Sequence, residues 1–539
     1  MLTCGELLVE LLEAYGVDTV FGIPGVHTVE LYRGLPSTKI RHVTPRHEQG
    51  AGFMADGYAR VTGKPGVCFI ITGPGMTNIA TAMGQAYGDS VPMLVISSVN
   101  NTEQLAMGAG RLHELPSQRN LVAGVAAFSH TLMRPDDLPA VLARAFAIFS
   151  SARPRPVHIE IPLDVITASA EHVSRKQGAL PSRPAPCPEG IAHAAQLLRA
   201  AKRPVVLLGG GAADAGDDVT DLVEALDAPS CYTINAKGVL PKGHPLALGS
   251  NQSLVPVREL IVQADLVLAI GTELGETDYD GVFDGNFRIE SPLIRIDIDV
   301  EQLNRNFAAD LAILSDARLA ARALVAAIGE RPRFRADSFG AQRVAAVRGQ
   351  LREQLPSALR VQGQVLEIIQ QSLPGVIIAG DSTQPVYAGN YLYEAISPRA
   401  WFNSATGYGT LGYGLPAAIG AKLARPHLPV VALIGDGGIQ FTLPELASAV
   451  EANTPIIVLL WNNSGYGEIK RFMVERDIPT IGVDIYTPDF LALAKGFGCH
   501  AERANTLEQL RELLVTASRA RRPTLIEIRE DAEFLTSKT

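Results

Sequence analysis

Several features that mark particular classes of protein are scarce in this sequence. Its 539 residues include only five cysteines, which are scattered along the chain and show no metal-ligand spacing. This pattern argues against a disulfide scaffold or a cysteine-based zinc site and is typical of a reducing, cytoplasmic compartment. No stretch reaches the roughly 18 uninterrupted apolar residues that a membrane span needs, so we expect no membrane partner.

The chain also has fewer basic than acidic residues. The net charge of −9 argues against a nucleic-acid partner, which would call for a basic surface. The first residues lack the basic start and the apolar run of a signal peptide, and Glu6, Glu10 and Glu13 predict an amphipathic helix there instead. The length exceeds what one hydrophobic core can hold, so two to four domains are expected.

Short apolar runs alternate with Ala- and Leu-rich helical stretches along the whole chain. Because these runs are apolar on both faces, they predict parallel sheets with helices on both sides. The clearest predicted strands are residues 67–72, 93–97, 205–208, 266–270, 293–298, 376–379, 430–434 and 456–460.

Two polar, proline-rich stretches, residues 171–190 and 329–339, interrupt this alternation. Treated as linkers, they divide the chain into three units inside the usual size range of domains. The expected fold class is therefore α/β, with three domains that each contain a parallel sheet flanked by helices. The predicted domains are residues 1–170, 188–330 and 355–535.

The strongest local signal lies between residues 430 and 467. A buried strand ends in Gly435-Asp436-Gly437-Gly438, and the next strand delivers Asn463. Because the carboxyl ends of neighbouring parallel strands meet at one edge, Asp436 and Asn463 should lie close together. A carboxylate, an amide oxygen, a backbone carbonyl, two diphosphate oxygens and a water would complete the six-fold shell of Mg²⁺. The glycines let the backbone approach phosphate oxygens.

A helix joins these two strands, and its start shows the spacing of a capping box. Thr442 precedes Glu445 by three residues, the separation at which the two side chains bond reciprocally to the first turn. We therefore expect both side chains to serve the helix that they begin.

The stretch around Asp436 resembles the cofactor-binding motif of thiamine-diphosphate enzymes, and the whole chain is similar to the acetolactate synthase and 2-oxo acid decarboxylase superfamily. The similar segments, in the family's order, are FGIPG, HEQGAGFMADGYAR, TGPGMTN, GTLGYGLPAAIGA and GDG…NN. The resemblance implies the thiamine-diphosphate-binding fold, with pyrimidine and pyrophosphate domains around a Rossmann-like middle domain. It also implies thiamine diphosphate and Mg²⁺ as cofactors and a small-molecule 2-oxo acid as substrate.

Glu48 is the first catalytic residue that the resemblance implies. In the family, the matching glutamate contacts the aminopyrimidine ring of the cofactor and favours the imino tautomer, which removes the proton from C2 of the thiazolium ring. The small and apolar residues after Glu48 fit a desolvated site. The family requires this glutamate and the GDG motif to meet across a subunit interface, which implies a homodimer or homotetramer.

Further cofactor contacts follow from the same resemblance. Leu411 occupies the position of the bulky side chain that props the cofactor, a Met in acetolactate synthases, and Pro385 replaces a usual histidine next to a diphosphate-contacting loop. The implied Mg²⁺ ligands are Asp436, Asn463 and Gly465. The full set of predicted cofactor-binding residues is Gly25, Glu48, Thr383, Gln384, Gly409, Leu411, Asp436, Gly437, Gly438, Asn463, Gly465, Tyr466 and Gly467.

Two histidines are candidates for proton transfer. Acetolactate synthases have Phe-Gln-Glu where this chain reads Leu112-His113-Glu114, so His113 would face the reacting carbon. A histidine there can deliver a proton after CO₂ is lost, as in simple decarboxylases. His27, just after the FGIPG turn, is the second candidate. A purely structural role is the alternative for each.

The predicted middle domain points away from FAD and towards a cationic substrate. Its glycine-rich turn lacks GxGxxG order, and residues 271–280 lack the arginines of the family's FAD loop, so we expect no FAD. That loop borders the substrate channel in the family and is strongly acidic here. Carboxylates around a channel favour a cation, and a guanidinium can bind one bidentately. The predicted substrate residues are Glu276, Asp278 and Glu468, and the alternative is a solvated acidic loop.

The favoured function is non-oxidative decarboxylation of a 2-oxo acid with a basic side chain. The chain looks similar to enzymes that act on 5-guanidino-2-oxopentanoate, the oxo acid of arginine breakdown. Three alternatives stay open: an acetolactate synthase that ligates a second 2-oxo acid after decarboxylation, an FAD-linked oxidase, and a non-catalytic cofactor-binding protein.

Overall fold

The computed structural model describes residues 2–281, 284–329, 334–354 and 356–536. The chain forms two compact units. The first unit contains residues 1–181, 371–384 and 403–539, and the second contains residues 182–370 and 385–402. Of the predicted boundaries, residues 330 and 355 and part of the second linker lie outside the described residues.

The N-terminal part of the first unit contains a six-stranded parallel sheet with the order β2-β1-β3-β4-β6-β5. Its strands are β1 (Thr19–Gly22), β2 (Arg41–Val43), β3 (Gly66–Ile70), β4 (Met93–Val99), β5 (Phe128–Thr131) and β6 (Val157–Pro162). Its helices are α1 (Cys4–Ala14), α2 (Val29–Tyr32), α3 (Glu48–Thr62), α4 (Pro74–Gly88), α5 (Gln118–Val122), α6 (Leu138–Ser151) and α7 (Leu163–Ile166).

The second unit contains a five-stranded parallel sheet with the order β11-β10-β9-β7-β8. Its strands are β7 (Pro204–Leu208), β8 (Ser230–Tyr232), β9 (Leu266–Ile270), β10 (Leu293–Asp297) and β11 (Leu311–Leu314). The helices along this stretch are α8 (Pro188–Ala200), α9 (Gly216–Leu226), α10 (Val255–Val262), α11 (Glu276–Tyr279), α12 (Ala317–Ile328) and α13 (Phe339–Gln354).

The C-terminal part of the chain contains the third sheet, again parallel and six-stranded, with the order β13-β12-β14-β15-β17-β16. Its strands are β12 (Ile377–Gly380), β13 (Trp401–Asn403), β14 (Val430–Gly435), β15 (Ile457–Asn462), β16 (His500–Arg503) and β17 (Thr524–Arg529). The helices along this stretch are α14 (Ser357–Ser372), α15 (Gln384–Leu392), α16 (Gly414–Ala424), α17 (Asp436–Ile439), α18 (Glu445–Glu451), α19 (Gly467–Glu475), α20 (Phe490–Gly496), α21 (Leu507–Ser518) and α22 (Glu533–Thr536).

The architecture confirms the predicted fold class, because three parallel sheets alternate with helices along the chain. All eight predicted runs are strands, with ends that differ by at most two residues from those predicted. The predicted N-terminal helix is α1, and a capping box of Thr3 and Glu6 begins it. No helix in the described part of the chain is long and apolar enough to cross a membrane. No cysteine forms a disulfide there.

The expected capping box at Thr442 and Glu445 is wrong. Pro444 occupies the cap position of α18, and the hydroxyl of Thr442 donates to the carbonyl of Gly412 at 2.8 Å. The carboxylate of Glu445 accepts hydrogen bonds from main-chain N–H groups of residues 46 and 47 instead. Partners that are distant in sequence replace the local partners that the spacing offers.

Helices α3 and α16 cross at van der Waals distance inside the first unit. An ideal Cβ on Gly57 would lie 2.0 Å from the carbonyl oxygen of Ala417, and one on Gly420 would lie 1.9 Å from that of Met54. Each helix therefore places a glycine against the backbone of the other. No residue with a side chain fits at either glycine unless the two helices move apart.

We expect Gly57→Ala to separate these helices and to lower the free energy of unfolding by about 2 kcal/mol, or the melting temperature by about 4 °C. Thermal unfolding followed by circular dichroism measures the change. Gly496→Ala is the matched control, because an added Cβ on this helical glycine meets nothing within 4 Å. Equal melting temperatures for the two variants would contradict the close crossing.

Candidate active site

The turn after β14 places a carboxylate beside the end of β15. Asp436 is the first residue of α17, and only 1% of its surface is exposed. Its Oδ1 accepts a hydrogen bond from the main-chain N–H of Asn463 at 3.1 Å. Strands β14 and β15 pair in parallel up to Gly435 and Trp461, so the residues that follow them lie side by side. The structure thus brings Asp436 and Asn463 together.

The second carboxylate oxygen of Asp436 suits a cation. This Oδ2 is buried and has no hydrogen-bond partner among the described residues. Burial raises the pKa of Asp436, while N–H donors from Asn463 and the turn act in the opposite direction. No group of three or more His, Cys, Asp or Glu side chains in the described ranges could hold a metal ion. A metal here would need amide, carbonyl and ligand oxygens, which are the donors that Mg²⁺ prefers.

The segment after β15 folds over the same turn. An ideal Cβ on Gly437 would lie 2.7 Å from the ring of Tyr466, and one on Gly465 would lie 2.4 Å from the carbonyl oxygen of Val483. That carbonyl also accepts the N–H of Tyr466 at 2.9 Å. Of the predicted cofactor residues, this turn gathers Asp436, Gly437, Asn463, Gly465, Tyr466 and Gly467.

The loop after β12 reaches this turn through Asp381. Its buried carboxylate accepts N–H groups of Ser382 at 2.8 Å and Gly414 at 3.1 Å, and burial raises its pKa to about 6. The ideal Cβ position of Gly438 lies 3.1 Å from its Oδ1. Asp381 therefore links β12, the start of α16 and the turn after β14. It was not among the predicted site residues, although a carboxylate directly after a buried strand was a usable signal.

Thr383 and Gln384 follow in the same loop. The hydroxyl oxygen of Thr383 lies 3.0 Å from the ideal Cβ position of Gly435. The side-chain amide of Gln384 donates to Oε2 of Glu468 at 2.6 Å. The other oxygen of Glu468 forms an ion pair with Arg471 on the same helix. Glu468 thus holds a guanidinium on one oxygen and a neutral amide on the other.

Glu48 lies in the N-terminal part of the same unit, as the first residue of α3. Its side chain is buried. The amide of Asn78 on α4 donates to its Oε2 at 2.9 Å, and the ideal Cβ position of Gly75 lies 3.3 Å from its Oε1. Asn78 was not predicted, although it belongs to the TGPGMTN segment.

The two candidate histidines contact each other. The Nδ1 atoms of His27 and His113 lie 3.3 Å apart, and the two rings meet edge to face. Because one Nδ1 must donate and the other accept, the pair shares a proton there. Burial, and then the charge of His113, lowers the pKa of His27. The structure therefore joins two residues that the sequence offered only as separate candidates.

These N-terminal residues surround the turn between β3 and α4. The ideal Cβ positions of Gly25 and Gly75 lie 2.2 and 2.7 Å from the side chain of Ile71, and that of Gly73 lies 2.6 Å from the carbonyl oxygen of His113. Predicted residues Gly25, His27, Glu48 and His113 thus form one cluster at the carboxyl edge of the first sheet. No hydrogen bond or ion pair among the described residues joins this cluster to Asp436 and its neighbours.

A buried ion-pair network, absent from our predictions, lies behind α3. Arg60 binds Asp56 at 2.6 Å and Asp89 at 2.5 Å, and all three side chains are almost fully buried. Tyr413 donates its hydroxyl to Asp56 from the segment before α16. The sequence signal was an Asp and an Arg four residues apart in an otherwise apolar helix.

The same network holds the loop that carries Gly409 and Leu411. The hydroxyl of Thr406 donates to Asp89 at 2.8 Å, and that of Thr410 donates to Gln85 at 2.9 Å. Gln85 in α4 and Asp89 at the C-terminal cap of that helix therefore hold the loop on both sides of Gly409. Leu411, the predicted cofactor prop, follows directly after this anchored stretch.

The acidic loop, residues 271–280, forms hydrogen bonds and ion pairs with residues of the second unit, to which it belongs. Asp278 accepts the main-chain N–H of Ile234 at 2.8 Å, and Asp280 forms a buried ion pair with Arg258 at 2.5 Å. Glu276 begins the short helix α11 and is exposed. Asp278 and Asp280 thus have structural partners, and the burial of Asp280 does not fit the alternative of a solvated acidic loop.

Comparison with known protein families assigns all three parts of the chain. Residues 2–121 match the N-terminal cofactor-binding domain of thiamine pyrophosphate enzymes, residues 191–324 match their central domain, and residues 381–528 match their C-terminal cofactor-binding domain. The chain belongs to the thiamine pyrophosphate enzymes. The cofactor named by the family is thiamine diphosphate. The Glu48 cluster falls in the first of the matched domains and the Asp436 cluster in the last.

Individual relatives within the thiamine pyrophosphate enzymes cover almost the whole chain. A probable 2-ketoarginine decarboxylase of Pseudomonas aeruginosa is 48% identical over 98% of this chain and 94% of its own length. The large subunit of acetolactate synthase isozyme 1 of Escherichia coli is 32% identical over 98% of this chain and 94% of its own. A probable acetolactate synthase large subunit of Methanocaldococcus jannaschii is 29% identical over 97% and 91%.

The histidine pair makes a testable prediction. Because the charge of His113 contributes to the lowered pKa of His27, His113→Gln should move that pKa upward, though not fully to its ordinary value, since burial remains. Nuclear magnetic resonance of labelled histidine rings between pH 5 and 8 measures the shift. His193→Gln, a change at an exposed helix position, is the control. An unchanged or lower pKa of His27 would rule out the pairing.

Proposed function

We propose that this thiamine pyrophosphate enzyme removes CO₂ from 5-guanidino-2-oxopentanoate (2-ketoarginine) and releases the corresponding aldehyde. The observation that carries the proposal is the 48% identity, over 98% of the chain, to the Pseudomonas aeruginosa relative with that name. The guanidinium that Glu468 already holds supports a substrate with the same group.

Thiamine diphosphate and Mg²⁺ fit the residues around Asp436. In the proposal, Asp436, Asn463 and the carbonyl of Gly465 hold Mg²⁺. The buried, unpartnered oxygen of Asp436 supports a cation at this place. When bound, the cofactor supplies the carbon that adds to the ketone and accepts the electrons left by CO₂. The proposed cofactor contacts are Gly25, Glu48, Thr383, Gln384, Gly409, Leu411, Gly437, Gly438, Tyr466 and Gly467.

The reaction consumes one proton, and the histidine pair can supply it. A 2-oxo acid anion and a proton give an aldehyde and CO₂, so a proton must reach the carbon that CO₂ leaves. When His27 and His113 share a proton between their Nδ1 atoms and the pair carries one positive charge, the accepting ring holds its own proton on Nε2 and can release it while the shared proton crosses over, which leaves both rings neutral. That Nε2–H is the proposed donor. Glu48 has the separate role of a hydrogen bond to the aminopyrimidine of the cofactor.

The substrate side chain is proposed to bind Glu468, with Glu276 and Asp278 as further candidates. Arg471 is half exposed, and surface ion pairs of this kind contribute only about 0–1 kcal/mol. A substrate guanidinium can therefore replace Arg471 on Glu468 at small cost. Gln384 would continue to orient the other carboxylate oxygen.

Acetolactate synthesis is the second candidate, because relatives that are 32% identical have this activity in their names. It requires that a second 2-oxo acid, rather than a proton, meet the carbon that CO₂ leaves. The contact between His27 and His113 favours protonation. Our proposal includes no FAD, because residues 271–280 of the middle domain lack the arginines of the family's FAD loop.

We also propose a homodimer or homotetramer, with active sites between subunits. The Glu48 and Asp436 clusters are not joined by hydrogen bonds or ion pairs among the described residues, so a second copy would complete each site. Large apolar side chains on and after α19 stay exposed in the single chain, which supports a covering partner. They are Ile469, Val474, Ile478, Ile481 and Tyr486. The three domains 1–170, 188–330 and 355–535 belong to the same proposal.

Substrate preference tests the proposed function. We expect CO₂ release from 5-guanidino-2-oxopentanoate to exceed that from pyruvate by at least about a hundredfold in kcat/KM. Glu468→Gln should raise KM for the guanidino acid by about tenfold or more, because a charged hydrogen bond is lost. Mass spectrometry of the products separates the aldehyde from acetolactate.

Glu475→Gln is the matched control for this test, because Glu475 pairs with the same Arg471 one turn further along α19. This variant should leave KM and kcat/KM unchanged for both substrates. A preference for pyruvate that survives Glu468→Gln would reject the cationic substrate, and acetolactate as the product would favour the second candidate.

Metal removal tests the proposed cofactor site. Chelation with EDTA should abolish thiamine diphosphate binding, and Mg²⁺ should restore it in the unaltered protein. Asp436→Asn replaces the unpartnered oxygen by an N–H donor, so restored binding should be at least about a hundredfold weaker. Titration calorimetry measures the affinity. Asp489→Asn is the control, since Asp489 caps α20 and an asparagine can cap a helix equally well. Equal affinity in Asp436→Asn would contradict the site.

A further inference from the structure

Glu445 is a buried carboxylate whose partners come from the other end of the chain. It begins α18 and is 1% exposed. Its Oε1 accepts the main-chain N–H groups of Arg46 at 3.0 Å and His47 at 3.1 Å, and its Oε2 accepts the hydroxyl of Ser448 at 2.7 Å. The two N–H groups belong to the residues immediately before Glu48. The carboxylate thus holds the backbone at the point where α3 begins.

The glycine after this turn lets the carboxylate approach. An ideal Cβ on Gly50 would lie 2.2 Å from Oε1 and 2.7 Å from Cδ of Glu445. Any side chain at residue 50 would therefore push the carboxylate away from Arg46 and His47. The approach depends on one residue in α3 and one in α18, which are almost 400 residues apart in sequence.

A second contact fastens the same segment to α18. The guanidinium of Arg46 binds the carboxylate of Glu451 at the end of that helix. This ion pair lies at the surface, and such pairs contribute little. Of these two contacts, the buried carboxylate of Glu445 is therefore the stronger constraint on the start of α3.

The cost of this carboxylate indicates a role beyond packing. Burial raises the pKa of Glu445 to about 7, so the protein holds an acid where ionisation is unfavourable. An apolar side chain of the same volume would avoid that penalty. It could not accept the two N–H groups, and they would then lose the partner that the carboxylate gives them.

We propose that Glu445 is a positioning residue, which fixes the first turn of α3 so that the carboxyl group of Glu48 stays on the aminopyrimidine of bound thiamine diphosphate. This inference rests on the role proposed above for Glu48. Asn78 holds the end of the Glu48 side chain, and Glu445 holds the backbone from which it extends. Displacements of about 1 Å at such a group can cost up to about a hundredfold in rate.

Glu445→Met tests the inference, because it keeps the volume and removes both acceptors. Two measurements without any 2-oxo acid apply. Hydrogen–deuterium exchange of main-chain amides, followed by mass spectrometry without cofactor, should show at least about tenfold faster exchange at residues 46 and 47. The proton on C2 of thiamine diphosphate, bound with Mg²⁺, should exchange at least about tenfold more slowly, while cofactor affinity changes less than about threefold.

Two further variants separate hydrogen bonding from packing. Glu445→Gln should stay close to the unaltered protein, because its amide oxygen can still accept both N–H groups while the hydroxyl of Ser448 turns to accept from its amide nitrogen. Gly50→Ala should reproduce both effects with Glu445 intact, which keeps the test available if Glu445→Met does not fold. Glu451→Gln is the matched control on the same helix and should change neither measurement.

Outcomes for the two proposals can be told apart. The positioning role would be overturned if Glu445→Met and Gly50→Ala both kept the wild-type rates of amide exchange and C2 exchange. This holds whatever the decarboxylation rate. If Glu48→Gln itself leaves C2 exchange unchanged, the role of Glu48 is wrong and the inference fails with it. Rejection of 5-guanidino-2-oxopentanoate as substrate would affect neither measurement, because no 2-oxo acid is present.

Discussion

The helix that begins at Glu48 and the helix that follows Leu411 cross so closely that only glycine fits at the contact. Gly57 lies against the backbone of α16, and Gly420 lies against the backbone of α3. This crossing ties the helix of the proposed catalytic acid to the loop of the proposed cofactor prop. Both belong to one compact unit, although about 350 residues of chain separate them. The positions of both elements within the chain depend on this contact.

Polar groups around the crossing convert close packing into a defined position. The buried pairs of Arg60 with Asp56 and Asp89 need mutual compensation, since an unpaired charge there would be strongly unfavourable. Their hydrogen bonds continue into the loop before α16 through Thr406. At the opposite end of α3, Glu445 binds the backbone before Glu48. The catalytic helix is therefore held at its start and along its buried face, as an acid that must meet a bound ring requires.

Much of the fold could be predicted because its information is local. Apolar runs of four to six residues, separated by helices, are typical of buried parallel strands, and all eight predicted runs are strands. The proximity of Asp436 and Asn463 followed from the same rule, because strand ends in one parallel sheet share an edge. Glu445 shows where this reasoning fails. Its spacing from Thr442 indicated a local cap, yet the two residues just before α3 offered it main-chain N–H donors.

The sequence by itself determined the element types, the parallel sheets and the motif residues, because side-chain periodicity and strand-end chemistry act over a few residues. Tertiary structure alone decided which distant groups became partners. It paired His27 with His113, placed Glu445 on the backbone before Glu48, and gave Glu468 a guanidinium and an amide. Such pairings depend on loop paths and helix crossings, where a shift of a few ångströms exchanges one partner for another. No local pattern in the chain records those distances.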